Sequence, residues 1–253
     1  MTVNTVLGID IGGSGIKGAP VNLKKGVLTT ERLRIPTPSP SSPENCAGVV
    51  AEIAANFARK IGKDSAIGIT YPGVVRAGTT LTAANVDQQW IGLNADAYFE
   101  ERLQRKVMVL NDAQAAVLAE VRYGAGKGCK GMVLMLTFGT GIGSGLAFDG
   151  ISLPGVEFGH LKMKGVDAEK LASASVKDIE KLSWKAWTER VNEYLDRIES
   201  MIWPELIIVG GGVSEKPEKF IPKLKTRAPI VAAQLGNGAG IVGAAIAATE
   251  WGQ

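Results

Sequence analysis

Val6-Leu7-Gly8-Ile9-Asp10-Ile11-Gly12-Gly13-Ser14-Gly15-Ile16-Lys17-Gly18-Ala19 is an apolar run that ends in an acid, turns through glycines and leaves through a lysine. Val6 to Ile11 reads as a buried strand, and Gly12, Gly13 and Gly15 permit a corner that presents bare N–H groups to an anion. Gly13, Gly15 and Gly18 also meet the G-x-G-x-x-G spacing of a dinucleotide fold. That fold needs a helix directly after the turn, whereas Ile16-Lys17-Gly18-Ala19-Pro20-Val21 carries a Gly and a Pro mid-run and suits a second strand. The stretch is read as strand, turn, strand. A hairpin with nothing bound explains the glycines but not the Asp10 and Lys17 that flank them. Asp10 suits hydrated Mg²⁺, which takes one or two carboxylates plus waters and phosphate oxygens, and Lys17 adds a point charge.

The chain has 253 residues, 45% of them hydrophobic, ample for a core in one large domain or two small ones. Its 32 glycines cluster between apolar runs, the pattern of ligand loops on an α/β scaffold. A net charge of +3 permits an anionic partner and is too mild to require nucleic acid. There is no basic segment followed by an apolar core, and no apolar run nears the roughly 20 residues that span a bilayer, so a cytoplasmic protein without a membrane partner is expected. Cys46, Cys129 and the single His160 are too few soft ligands for structural zinc, and none is expected.

Further along, Gly26 to Ile35 reads as a third strand, Pro36 to Pro43 as a loop, Glu44 to Lys60 as an amphipathic helix and Ala66 to Thr70 as another buried strand. Asp96 is expected to cap a helix reaching about Arg105. Val107 to Leu110 is an all-apolar strand that stops at Asn111-Asp112, with a helix from Ala113 to Tyr123 behind it. Open α/β sheets place ligands at such strand ends. Gly131 to Thr137, the turn Phe138-Gly139-Thr140-Gly141, and Gly143 to Phe148 repeat the opening device, which indicates two similar halves. The longest helix, about Ser183 to Ile202, carries a core stripe of Trp184, Trp187, Val191, Leu195, Ile198 and Ile202. Leu206 to Val209 enters Gly210-Gly211-Gly212, and Gly240 to Thr249 is a helix of small residues that can pack closely.

Together these windows resemble the ROK family of sugar kinases, in the superfamily of actin, hexokinase and the heat-shock ATPases. Asp10 to Lys17 resembles the first phosphate motif, Leu136 to Gly145 the second, and Ile207 to Ser214 the nucleotide-side motif. Asn111-Asp112 is similar to the catalytic Asn-Asp pair, and Glu157-Phe158-Gly159-His160 to the sugar-binding Glu-x-Gly-His signature. The wording of both glycine loops, Asp167-Ala168-Glu169 with Ala172-Ser173-Ala174, and the lack of any cysteine after Cys129 resemble the branch that draws on inorganic polyphosphate.

The resemblance implies a two-lobed actin-like (ribonuclease H-like) α/β fold of mixed sheets flanked by helices, with a cleft between the lobes. The first lobe is expected over 1–110, completed by a helix over 240–253, and the second over 111–239. It also implies phosphoryl transfer from polyphosphate, or from ATP, to the 6-hydroxyl of glucose, with Mg²⁺ held through water by Asp10, in a homodimer. Asp112 is then the general base, although its place before Ala113 also suits a helix cap. Asn85, Asn111, Asp112, Glu157, His160 and Glu169 are the expected sugar ligands. Asp10, Gly12, Gly13, Ser14, Lys17, Gly139, Thr140, Gly141, Gly211 and Gly212 are expected to hold the donor phosphates. Lys216, Lys219, Lys223, Lys225 and Arg227 read equally as a polyphosphate track and as a solvated face, so they are left out of the site. A sugar sensor without catalysis is the rival reading, and it has no use for a base beside an attacking oxygen.

Overall fold

The computed structural model describes residues 5–84 and 86–250. The chain separates into two compact units, one of residues 1–119 with 238–253 and one of 120–237. The division falls within the helix that follows Asn111, where the sequence reading placed it before Asn111.

In the first unit, β1 (Thr5–Ile11) and β2 (Ile16–Asn22) form an antiparallel hairpin with Asp10 opposite Lys17. A strand after the glycine turn rules out the dinucleotide arrangement. The expected third strand is two pieces, β3 (Val27–Leu28) and β4 (Leu33–Ile35), each paired with β2. Between them the N–H and hydroxyl of Thr29 both donate to the Pro20 carbonyl, which ends the first pairing. α1 (Pro43–Phe57) starts behind Ser42, whose side chain accepts from the Asn45 N–H, and buries Cys46, Val50, Ile53 and Phe57. β5 (Ile67–Tyr71) lies parallel to β1, and β6 (Val75–Arg76) with β7 (Thr79–Thr80) makes a small hairpin.

α2 (Ala95–Leu103) is capped by Asn94, whose side chain accepts from the Ala97 N–H at 3.0 Å, and not by Asp96. Both residues are good caps. Asp96 instead accepts from Val109 N–H at 2.7 Å, fastening α2 to β8 (Val107–Asn111), and α3 (Asp112–Tyr123) follows directly. The sheet order is β3-β2-β1-β5-β8. The C-terminal helix, Ala239–Glu250, is apolar all round and buries nine of its residues, from Ala239 to Ala248, packing on β1, β5 and β8.

The second unit repeats the plan. β9 (Met132–Phe138) and β10 (Ile142–Phe148) form an antiparallel hairpin, and β11 (Ile151–Leu153) pairs at the edge. After the short pair β12 (Lys162–Met163) and β13 (Val166–Asp167) come α4 (Glu169–Ala172), α5 (Ala174–Ile179) and α6 (Trp184–Met201). β14 (Leu206–Gly210) and β15 (Ile230–Ala232) then add in parallel, giving the order β11-β10-β9-β14-β15. In both units a glycine-turned hairpin has two parallel strands beside its first strand, the repeat expected from the sequence.

α6 fills the core of this unit with Trp187, Val191, Tyr194, Leu195 and Ile198, none of them exposed. Full burial of an apolar side chain contributes about 1.5–3 kcal/mol, and ring pairs such as Phe138–Trp187 and Trp184–Phe220 add about 0.5–1.5 kcal/mol each. No helix among the described residues is long and apolar enough to cross a membrane.

Candidate active site

The first glycine turn is closed by its own backbone, Gly12 N–H donating to Gly15 O at 3.2 Å. Gly13 and Ser14, at the tip of the turn, are exposed. Arg34 donates to the Ser14 carbonyl at 2.9 Å and the Thr37 hydroxyl donates to the Gly12 carbonyl, so two side chains absent from the sequence reading brace the turn. Asp10 is the last but one residue of β1 and is half-buried. Its Oδ1 accepts from the Thr70 hydroxyl at 2.7 Å, and its Oδ2 lies 3.5 Å from the Lys17 ammonium. Thr70 is fully buried and stands beside Asp10 in the parallel register.

The helix-cap role that the sequence offered to Asp112 belongs to Asn111. Asn111 Oδ1 accepts from the N–H groups of Ala113 at 2.9 Å and Gln114 at 3.0 Å, so it caps α3. Its Nδ2 donates to the Gly73 carbonyl at 3.1 Å. Asp112 is the first residue of the helix, half-buried, with Oδ1 accepting from Ala113 N–H at 2.8 Å. Asn85 lies outside the described residues.

The second glycine turn mirrors the first. Gly139 N–H donates to Gly141 O at 3.0 Å, leaving Gly139 and Thr140 exposed. Ser175 holds it from behind, through its N–H to the Gly139 carbonyl at 3.0 Å and its hydroxyl to the Thr140 carbonyl at 2.6 Å. Gly211 reaches the root of the same turn. It has φ +81°, and a Cβ there would lie 2.3 Å from the Phe138 carbonyl oxygen, so only glycine fits. Gly212 follows at the start of a short 3₁₀ turn, Gly212–Glu215.

Glu157 precedes the 3₁₀ turn Phe158–His160 and is stapled on both sides by Ser144, whose hydroxyl accepts from Phe158 N–H at 2.8 Å and donates to the Val156 carbonyl at 3.0 Å. His160 is exposed, with Nε2 4.0 Å from Glu157 and Nδ1 3.6 Å from Asp167. The Lys162 ammonium beside Asp167 holds that carboxyl below its ordinary range. Burial pushes the Glu157 carboxyl up, His160 opposes this, and the nearby Glu169 adds to it. Glu169 opens α4, and its Oε2 accepts from Ile142 N–H at 3.3 Å, directly behind the second glycine turn. With Arg34 and Thr37, the residues Thr70, Ser144, Asp167 and Ser175 are supporting side chains that sequence reasoning missed. Ser144 and Asp167 lay within quoted motifs, whereas Thr70 left no local signal.

Glu157 carries a stability prediction. A carboxyl whose folded pKa is raised stabilises the fold while protonated, and loses that contribution as pH rises through the interval from its ordinary 4.5 to the folded value. Glu157→Gln is therefore expected to melt higher than the parent at pH 7, with the difference shrinking to zero as pH falls toward 4.5. Thermal melts across that range check it, and a parent more stable than the variant at pH 7 would refute the stated cause.

Comparison with known proteins fixes the class. The ROK family model matches residues 6–176, and the chain belongs to the ROK family. It is 49% identical to the polyphosphate glucokinase of Mycobacterium tuberculosis (strain ATCC 25618 / H37Rv) over 241 residues, 95% of this chain and 89% of that protein. It superposes on the inorganic polyphosphate/ATP-glucomannokinase of Arthrobacter sp. strain KM with a TM-score of 0.92 and 48% identity, covering 96% of this chain and 98% of the other. A ROK family glucokinase from Streptomyces griseus, solved with glucose and AMPPNP, matches with a TM-score of 0.82 at 24% identity over 96% and 98% of the two chains, a likeness of fold. The two units are the lobes of the actin-like fold that the motifs implied.

Proposed function

We propose that the protein transfers a phosphoryl group from inorganic polyphosphate to the 6-hydroxyl of glucose, giving glucose 6-phosphate. The observation that carries the reading is the 49% identity along 95% of the chain to a polyphosphate glucokinase. Asp112 accepts the proton of the 6-hydroxyl as that oxygen attacks phosphorus. The new O–P bond forms while the bridging P–O bond of the donor breaks, and the shortened polyphosphate leaves. Asn111, by capping α3 and bonding to Gly73, fixes the direction of the neighbouring base. Asn85, Glu157, His160 and Glu169 are assigned to the sugar hydroxyls, because polar groups left unmatched on burial cost about 1–3 kcal/mol each.

Gly13, Ser14, Lys17, Thr140, Gly141 and Gly212 are assigned to donor phosphates, with Gly12, Gly139 and Gly211 shaping the turns that present them. Among the described residues no group of three His, Cys, Asp or Glu side chains stands together for a metal. Asp10, a single carboxylate oriented by Thr70, fits Mg²⁺, which keeps its waters and takes further oxygens from phosphate. When bound, Mg²⁺ supplies positive charge against the donor oxygens. A cytoplasmic homodimer is proposed on the family resemblance.

The name of the Arthrobacter protein, a polyphosphate/ATP-glucomannokinase, favours a second reading in which ATP and mannose are also used. Glucose 6-phosphate formation by the purified protein tests the proposal. Product is expected with glucose, Mg²⁺ and polyphosphate together, and none after chelation; no product from polyphosphate would refute it.

A further inference from the structure

Tyr194 is fully buried in the second unit, and its hydroxyl has no hydrogen-bond partner among the described residues. A buried donor left without an acceptor is costly, and such a group in a folded protein calls for an explanation. Its place in the fold supplies one. Trp187 Nε1 donates to the carbonyls of Ala172 at 2.9 Å and Ser173 at 3.2 Å, and Arg190 Nη1 donates to the Leu171 carbonyl at 3.1 Å. As α6 advances from 187 to 190, its partners retreat from 173 to 171. One more helical turn brings Tyr194 toward Glu169, the first residue of α4. The carboxylates of Glu169 and Glu157 add to burial in pushing the phenol pKa upward, which puts negative charge near the ring.

The other side of Tyr194 faces the base of the second glycine turn. Its ring stands edge-on to Phe138, centroids 6.4 Å apart at 88°, and Phe138 immediately precedes Gly139. Glu169 lies at the far end of the same turn. Besides accepting from Ile142 N–H, its Oε2 sits 2.3 Å from where a Cβ on Gly141 would be. A phosphate arriving at Gly139–Gly141 repels that carboxylate, and a neutral phenol O–H brought to it by a side-chain shift is a group that can hold it in place.

We infer that Tyr194 is a positioning residue for phosphoryl transfer: with donor bound, its O–H donates to the Glu169 carboxylate and keeps it fastened to Ile142 N–H, so that the glycine turn stays shaped for phosphate. The inference rests on the kinase reading above. It separates Glu169 into a carboxylate that supports the donor turn as well as the sugar side.

Tyr194→Phe in the full chain tests it. A hydroxyl that has no partner in the free protein loses nothing when removed, so the melting temperature is expected to stay or rise. In contrast, kcat/KM for polyphosphate is expected to fall about tenfold or more, the effect of a lost hydrogen bond to a charged group, with the glucose KM within about threefold. A Tyr194→Phe/Glu169→Gln double variant is expected to be no worse than Glu169→Gln alone, since both changes break one contact. Parental kinetics in Tyr194→Phe, a lowered melting temperature, or additive losses in the double variant would each overturn the inference while leaving the kinase reading intact. A parent inactive with every donor would overturn both.

Discussion

Asp112→Asn is expected to lower kcat for glucose phosphorylation by about 10³-fold, within the roughly 10²- to 10⁴-fold that a general base contributes, while the glucose KM stays within about tenfold. The amide keeps an acceptor oxygen for the Ala113 N–H and for a sugar hydroxyl but has no affinity for the proton that must leave. The substitution need not harm the fold, because the α3 cap is Asn111, with its bonds to Ala113 and Gln114. The substitution removes one negative charge from a helix N-terminus, a loss of about 0.3–1 kcal/mol. Steady-state kinetics beside a thermal melt check the two halves together. Turnover within tenfold of the parent would remove Asp112 from the chemistry; a collapsed melt would show that it is structural.

Gly68→Val is expected to destabilise the fold severely. Gly8 and Gly68 are register partners on β1 and β5, and the C-terminal helix lies directly on both. A Cβ on Gly68 would stand 1.8 Å from the Ala244 carbonyl oxygen, and one on Gly8 2.0 Å from that of Ile241, one turn away on the same helix face. These obstacles are backbone, so no rotamer change relieves them and the whole helix must lift. Overpacking of this kind costs more than about 3 kcal/mol, which lowers the melting temperature by roughly 10 °C or more. Gly48→Val is the matched comparison. A Cβ at Gly48, inside α1, meets nothing within 4 Å, so that variant is expected to melt close to the parent. Equal melting temperatures for the two variants would contradict the close packing described here.

Features written in contiguous residues were legible in the sequence. Both glycine-turned hairpins, the buried strand ending at Asn111-Asp112 and the core face of α6 follow from runs of ten to twenty residues, and their order along the chain was enough to imply the ROK family. What depended on distant pairing was not legible. Thr70 orients Asp10 because β5 lies beside β1, and nothing in the stretch between these residues, sixty positions apart, announces that register. Asn94 and Asp96 are equally good caps on composition. The choice is made by β8, which requires an acceptor for Val109 N–H and takes Asp96. The same holds for Asp112, which a sequence reader sees as a cap until Asn111 is found holding two N–H groups of the helix. Tyr194 reads as one more core residue of α6, and its orphaned hydroxyl exists only in three dimensions.

The most direct measurement is the initial rate of glucose 6-phosphate formation with Mg²⁺ and glucose, comparing polyphosphate with ATP at equal phosphate-bond concentration. The account predicts product from polyphosphate, at a kcat/KM at least equal to that with ATP. Product from ATP alone would contradict it, leaving the ROK fold and the role of Asp112 but removing polyphosphate as the donor.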